Sequence, residues 1–268
     1  MKSRLLFTIL ALLPFAVRAD VGEPRRPTTQ LDAETLQGAP EDRTTIGVST
    51  AREQLSNDTP DWKETVIDIK RDLGPRHVLD VSAVETERFG LSDTQFNALY
   101  AFPVNDKLTA TVDGNASPTH RVLAENNLGA SLQYEFAPAW LIHGGGRSIG
   151  YNDVRVNQGL LMLEHYFSSY SWLAAWRPSR AFGTTAHAFE LRGSYYYADK
   201  SSITLLLADG KEAAAIGTDV VLTSVSSITL LGHHWFDRNW ALNYSIGHTR
   251  QGDLYTRDGV SIGVQYHF

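Results

Sequence analysis

The last nine residues, Val260 to Phe268, limit what this chain can fold into more than any other stretch. Val260, Ile262, Val264, Tyr266 and Phe268 alternate there with Ser261, Gly263, Gln265 and His267. Side chains on a strand point to opposite faces with a period of two, so the segment has one apolar face and one small or polar face. Termini of soluble domains tend to be polar and frayed. Here the last residue is an aromatic that continues the alternation, as expected of a sheet whose final strand must pair with its first.

The pattern resembles the C-terminal assembly signal of bacterial outer-membrane proteins, and it implies the barrel assembly machinery as a partner. The N-terminal residues agree with export. Lys2 and Arg4 precede the apolar run Leu5 to Leu13, and Val17-Arg18-Ala19 leads to a cut before Asp20, so residues 1–19 are expected to be a signal peptide. The chain has no cysteine, which leaves no lipid-attachment site, no disulfide and no thiolate metal site. No run of about 18 apolar residues follows the signal, so no helix is expected to cross a membrane. A membrane protein with this sequence must therefore be a closed barrel, because only helices and barrels satisfy every backbone group in lipid. Outer-membrane lipid and lipopolysaccharide are then its surroundings.

Net charge of −6 and a pI near 5.8 argue against nucleic acid as a partner. The mean hydropathy of −0.23 does not exclude a barrel, since only alternate strand residues face lipid. Eleven Tyr, eleven Phe and six Trp supply enough rings for interfacial girdles.

Two regions are expected beyond the signal. Residues 20–75 read as a mobile periplasmic segment, because the stretch to about Thr59 is too polar to offset its ordering entropy. It contains one short helix near 60–73: Thr59 caps it, Pro60 opens it and Gly74-Pro75 stops it. Trp62, Val66, Ile69 and Leu73 share one face at helical spacing, for a helix on the barrel's periplasmic rim or, alternatively, a plug in the lumen. Residues 76–268 read as the barrel: all-β, antiparallel, transmembrane, of about twelve strands, with ten or fourteen also admissible. Clear apolar faces are Phe96/Ala98/Tyr100/Phe102, Leu128/Ala130/Leu132/Tyr134/Phe136 and Ile203/Leu205/Leu207. Short links alternate with longer ones, among them Arg177–Thr185 and Asp209–Asp219, which are expected as outer loops.

Several pieces of the C-terminal region resemble the YaiO family of outer-membrane β-barrels. They are Gly146-Arg147 leading to Glu164-His165-Tyr166-Phe167, then Arg192-Gly193-Ser194-Tyr195-Tyr196-Tyr197, Leu231-Gly232-His233-His234-Trp235-Phe236 with Trp240-Ala241-Leu242, and the closing Phe268. The resemblance covers roughly residues 77–268. It implies an outer-membrane location in a Gram-negative bacterium and an association with surface polysaccharide, and it supplies no catalytic residues.

The complement of the lipid face defines a lumen expected to be lined by Asp113, Glu135, Arg147, Glu164, Glu190, Arg192 and His233. An Arg or Lys facing mid-bilayer lipid costs about 2–4 kcal/mol, so these charges belong inside. They either pair to fill a narrow barrel or line a passage for small solutes or sugars. The expected function is a non-enzymatic barrel, a narrow channel or structural partner linked to surface polysaccharide, with no cofactor and no metal. The alternative is a lipid-modifying hydrolase or acyltransferase using a lumen or rim histidine. His165 and Ser168 are the nearest local pair, but an odd spacing puts them on opposite faces of a strand.

Overall fold

The computed structural model describes residues 43–56, 60–198, 200–216 and 219–268. The expected signal peptide at 1–19, and residues 20–42 of the segment that follows it, lie outside the described residues. The described chain is a single closed antiparallel barrel of fourteen strands, each paired with its sequence neighbours. In order they are β1 (Arg43–Leu55), β2 (Trp62–Gly74), β3 (His77–Arg88), β4 (Leu91–Asn105), β5 (Leu108–Ala116), β6 (Asn126–Ala137) and β7 (Trp140–Gly150). They continue as β8 (Arg155–Phe167), β9 (Tyr170–Ala181), β10 (Thr184–Ala198), β11 (Ser201–Ile216), β12 (Asp219–Trp235), β13 (Trp240–Gln251) and β14 (Tyr255–His267).

Two expectations are corrected. The strand count is fourteen rather than about twelve, and no helix occurs among the described residues. The stretch expected as a helix near 60–73 is β2, paired with β1 from Arg43↔Asp72 to Glu53↔Trp62 and with β3 on its other edge. It is therefore part of the wall, neither a rim helix nor a plug. The physical reason is in its alternation. Ile67, Ile69 and Leu73 point out and are exposed, while Trp62, Glu64, Val66, Asp68, Lys70 and Asp72 point in. The helical face of Trp62, Val66, Ile69 and Leu73 mixes residues from both sides of the strand.

The seam is closed by β1 and β14, in register from Thr45↔His267 to Leu55↔Arg257. Val260, Ile262, Val264 and Phe268 are exposed on the outside, and the Phe268 backbone N–H donates to the Thr44 carbonyl at 2.9 Å. The apolar faces read from the sequence lie outward as well, with Leu128, Leu132, Tyr134 and Phe136 all exposed.

The two ends of the barrel differ. On the side of Arg43 and His267 the links are two residues long except 236–239; this is the turn end. The opposite, loop end carries 117–125 and 151–154. Short turns mark the periplasmic side of such barrels and longer loops the outer side. The stretches expected as long outer loops at Arg177–Thr185 and Asp209–Asp219 are mostly strand. β9 and β10 are joined only by Phe182-Gly183, whose φ of 51° and 75° suit a tight hairpin between twisted strands.

The turn end carries an aromatic girdle. Stacked or tilted rings run from Phe136 to Trp140 (6.2 Å), His165 (4.0 Å), Phe167 (5.8 Å) and Tyr170 (5.8 Å). They continue through Tyr195 (5.0 Å) and Tyr197 (6.2 Å) to His234 (5.9 Å). Amphipathic rings of this kind sit at the level of lipid headgroups.

Candidate functional site

The inward face of the wall is polar. Each of the seven residues singled out from the sequence lies on the face opposite the exposed apolar side chains, and Glu135, Glu164 and Glu190 are buried. The structure brings most of them into pairs. Asp113 on β5 accepts from Arg147 on β7 at 3.3 Å, across the intervening β6. What allows this reach is Gly129, which pairs with Asp113 on one side and with Arg147 on the other. A Cβ at Gly129 would stand 2.6 Å from Asp113 Oδ1. Gly129→Ala is expected to break this ion pair and lower stability by about 1–3 kcal/mol through overpacking. Urea unfolding of Gly129→Ala beside Asp113→Asn/Arg147→Gln would check it, since the two should fall together.

Glu190 is the hub of the second group. It accepts from Arg192 at 2.7 Å and from Arg177 of β9 at 3.3 Å. Arg177 also lies within electrostatic range of Arg147, whose own partner is Asp113. Arg177 was placed in a loop by the sequence reading; the alternation of Ala175, Arg177 and Ser179 with Trp176 and Pro178 is the signal that identifies it as inward. Glu164 accepts from Tyr166 Oη at 2.8 Å and from His143 Nε2 at 3.3 Å. Glu135 lies near the turn end, where the Ala139 N–H donates to it at 3.4 Å. His233 stands apart from these groups and hydrogen-bonds the Asn243 carboxamide oxygen.

The middle of the facing wall, from β13 through β14 to β1, is built from small residues. Ser245, Gly247, Gly259, Ser261, Ser49 and Ala51 line an interior cavity of about 140 Å³ together with Trp62, Glu53, Glu64 and Arg88.

At the loop end inward-pointing side chains gather around Trp62. The indole is nearly fully buried, and the guanidinium carbons of Arg88 and Arg257 stand 4.7 and 4.5 Å from its centroid. Phe89 and Tyr255 meet it edge-on at 5.2 and 6.2 Å. Arg257 donates to Glu53 at 2.7 Å, and Arg88 lies 3.8 Å from Glu64. Opposite, the link between β7 and β8 folds against an apolar cluster of Ala124, Ile149, Val156 and Ala181. Burial pushes the phenol of its Tyr151 up to about 12, and the charges of Arg88 and Glu212 act on it as well. The loop after β5 is pinned as well: Asp93 accepts from the Val122 and Leu123 N–H groups at 2.6 and 2.9 Å.

The histidines form no nucleophile–base–acid chain with a serine among the described residues. His165 bonds the Ala139 carbonyl at 3.1 Å, and His267 meets the Thr45 hydroxyl at 2.7 Å with its Nε2 unpartnered. No three metal-ligating side chains gather among the described residues.

No curated protein matches the sequence. Among solved structures the chain is similar to the CymD monoaromatic hydrocarbon channel, at 10% identity and a TM-score of 0.58, covering 90% of this chain and 92% of that one. It is also similar to OmpF of Salmonella typhi, solved as a complex with daunomycin, at 9% identity and a TM-score of 0.51, covering 85% and 97%. At these identities the likeness is one of fold. Residues 43–213 match the YaiO membrane β-barrel domain. That span is more than half of the chain, so the protein belongs to the YaiO family and is an outer-membrane β-barrel of the Gram-negative type.

Proposed function

We propose that the barrel is a narrow channel for small hydrophilic solutes, with the sugar units of surface polysaccharide as the preferred class. The observation that carries this reading is the asymmetry of the interior: a wall of Gly, Ser and Ala beside a cavity, facing a wall of paired Arg and Glu. Eight strands leave an interior that side chains fill, whereas sixteen to eighteen leave an aqueous channel. Fourteen lie toward the open side, and small residues along one wall leave room that large ones would take. Hydroxyl and amide groups suit a hydroxylated solute: Ser245 and Ser261 share a hydrogen bond at 2.6 Å, and Asn243 and Gln265 line the same cavity. The test is single-channel recording of the refolded full chain in a planar bilayer. Small, steady conductance steps, reduced by added oligosaccharide, are the expected result. A folded, inserted barrel that passes no current would overturn the proposal.

A further inference from the structure

We propose that the outer wall at the loop end of β8 and β9 is a binding site for the phosphates of lipid A, the glycolipid anchor of lipopolysaccharide, held by Arg155 and Arg180. Both side chains are exposed on the lipid-facing side of the barrel, Arg155 at the first position of β8 and Arg180 next to the last of β9. Asn157 pairs with Arg180, so Arg155 is its diagonal neighbour one step nearer the loops. Diagonal positions across a strand pair stand about 7–8 Å apart, close enough for two guanidiniums to share one phosphorylated sugar.

Four other exposed loop-end cations each have a counter-charge. Arg52 pairs with Asp61 at 2.6 Å, Lys63 with Glu87 at 3.3 Å, Arg121 with Asp93 at 3.5 Å and Arg250 with Asp253 at 3.4 Å. Among the described residues Arg155 reaches only the Ser148 hydroxyl, at 3.2 Å, and Arg180 has no ion-pair partner. A cation on the lipid face is unfavourable in hydrocarbon and becomes favourable where it meets anionic headgroups. The loop end is the outer side of the barrel, where the lipid leaflet presents phosphorylated sugars.

A second feature lies directly below. The β8–β9 ladder keeps its register from Gln158↔Ser179 to Leu161↔Trp176 but is unpaired at the two positions between. Pro178 is there and has no N–H to give. The gap forms an outward groove of about 320 Å³ lined by Asn157, Gly159, Pro178 and Thr185, with exposed Leu161 and Trp176 beneath it. Phosphates on the arginines would place an acyl chain along this groove.

The experiment measures thermal stabilisation of the refolded full chain by titrated lipid A. The wild type is compared with R155A/R180A, with R155K/R180K and with a control, R52A/R250A. Loss of two charge-assisted contacts is expected to weaken the apparent affinity of R155A/R180A by about tenfold or more. R155K/R180K should keep part of the affinity, and the control should match the wild type. Lipid A stripped of its phosphates should behave on the wild type as lipid A does on R155A/R180A, and inorganic phosphate alone should give no shift. Equal affinity of wild type and R155A/R180A, equal binding of the stripped lipid, or a full shift with inorganic phosphate would each overturn the site. None of these outcomes bears on conductance, so the channel reading stands or falls separately.

Discussion

Replacing Trp62 with alanine is expected to widen the loop end of the lumen and raise single-channel conductance several-fold. The indole fills the space between Arg88 and Arg257, and both cations are held near its ring rather than free to fold away. Removing a buried Trp typically costs about 3–5 kcal/mol, and the two cation–π contacts add to that loss. The fourteen-strand ladder does not depend on this side chain, so the variant should insert. The check is paired: a lower urea midpoint together with larger current steps. A destabilised variant with unchanged conductance would show that Trp62 packs the wall without setting the width of the passage.

Glu190→Gln is expected to have the second largest effect, on stability and on ion selectivity. The substitution keeps the shape and removes the charge that Arg177 and Arg192 share. Breaking a buried ion pair from one side costs about 3–5 kcal/mol, because the remaining charges lose their compensation. Two uncompensated guanidiniums, with Arg147 near Arg177, should shift selectivity toward anions. The reversal potential in a salt gradient measures this, and no shift would place the cluster outside the ion path.

Much of the wall was legible in the sequence because lipid enforces a period of two wherever strands cross it. Val260 to Phe268 and Leu128 to Phe136 show that period plainly and form the outer faces of β14 and β6. The first two strands were not legible, for local reasons. The outer face of β1 keeps Ile46 and Val48 but then runs into Thr50, Arg52 and Gln54 as it leaves the membrane. In β2, Arg71 interrupts the apolar series while Trp62 and Val66 face inward, so a helical period fits the same letters. Thr59-Pro60 and Gly74-Pro75 read equally well as helix limits and as strand turns. The pairing that would settle the matter, β1 with β14, joins residues more than two hundred positions apart.

The interior was legible as a set of residue types but not as a set of partners. That Asp113, Arg147, Glu190 and Arg192 are polar positions between apolar ones follows from alternation alone. That Asp113 reaches over Gly129 to Arg147 depends on register across three strands. The mouth was missed altogether, since Trp62, Arg88 and Arg257 come from β2, β3 and β14 and converge only when the barrel closes.

The measurement that tests the account most directly is thiol accessibility along β2. The chain has no cysteine, so single substitutions at Val66, Ile67, Asp68 and Ile69 report without background. Val66 and Asp68 line the interior cavity, while Ile67 and Ile69 are exposed on the lipid side. In lipid vesicles, a charged, membrane-impermeant thiol reagent is predicted to modify positions 66 and 68 and to leave 67 and 69 unmodified. Uniform labelling, or labelling with a helical period, would contradict both the strand and the water-filled lumen it lines.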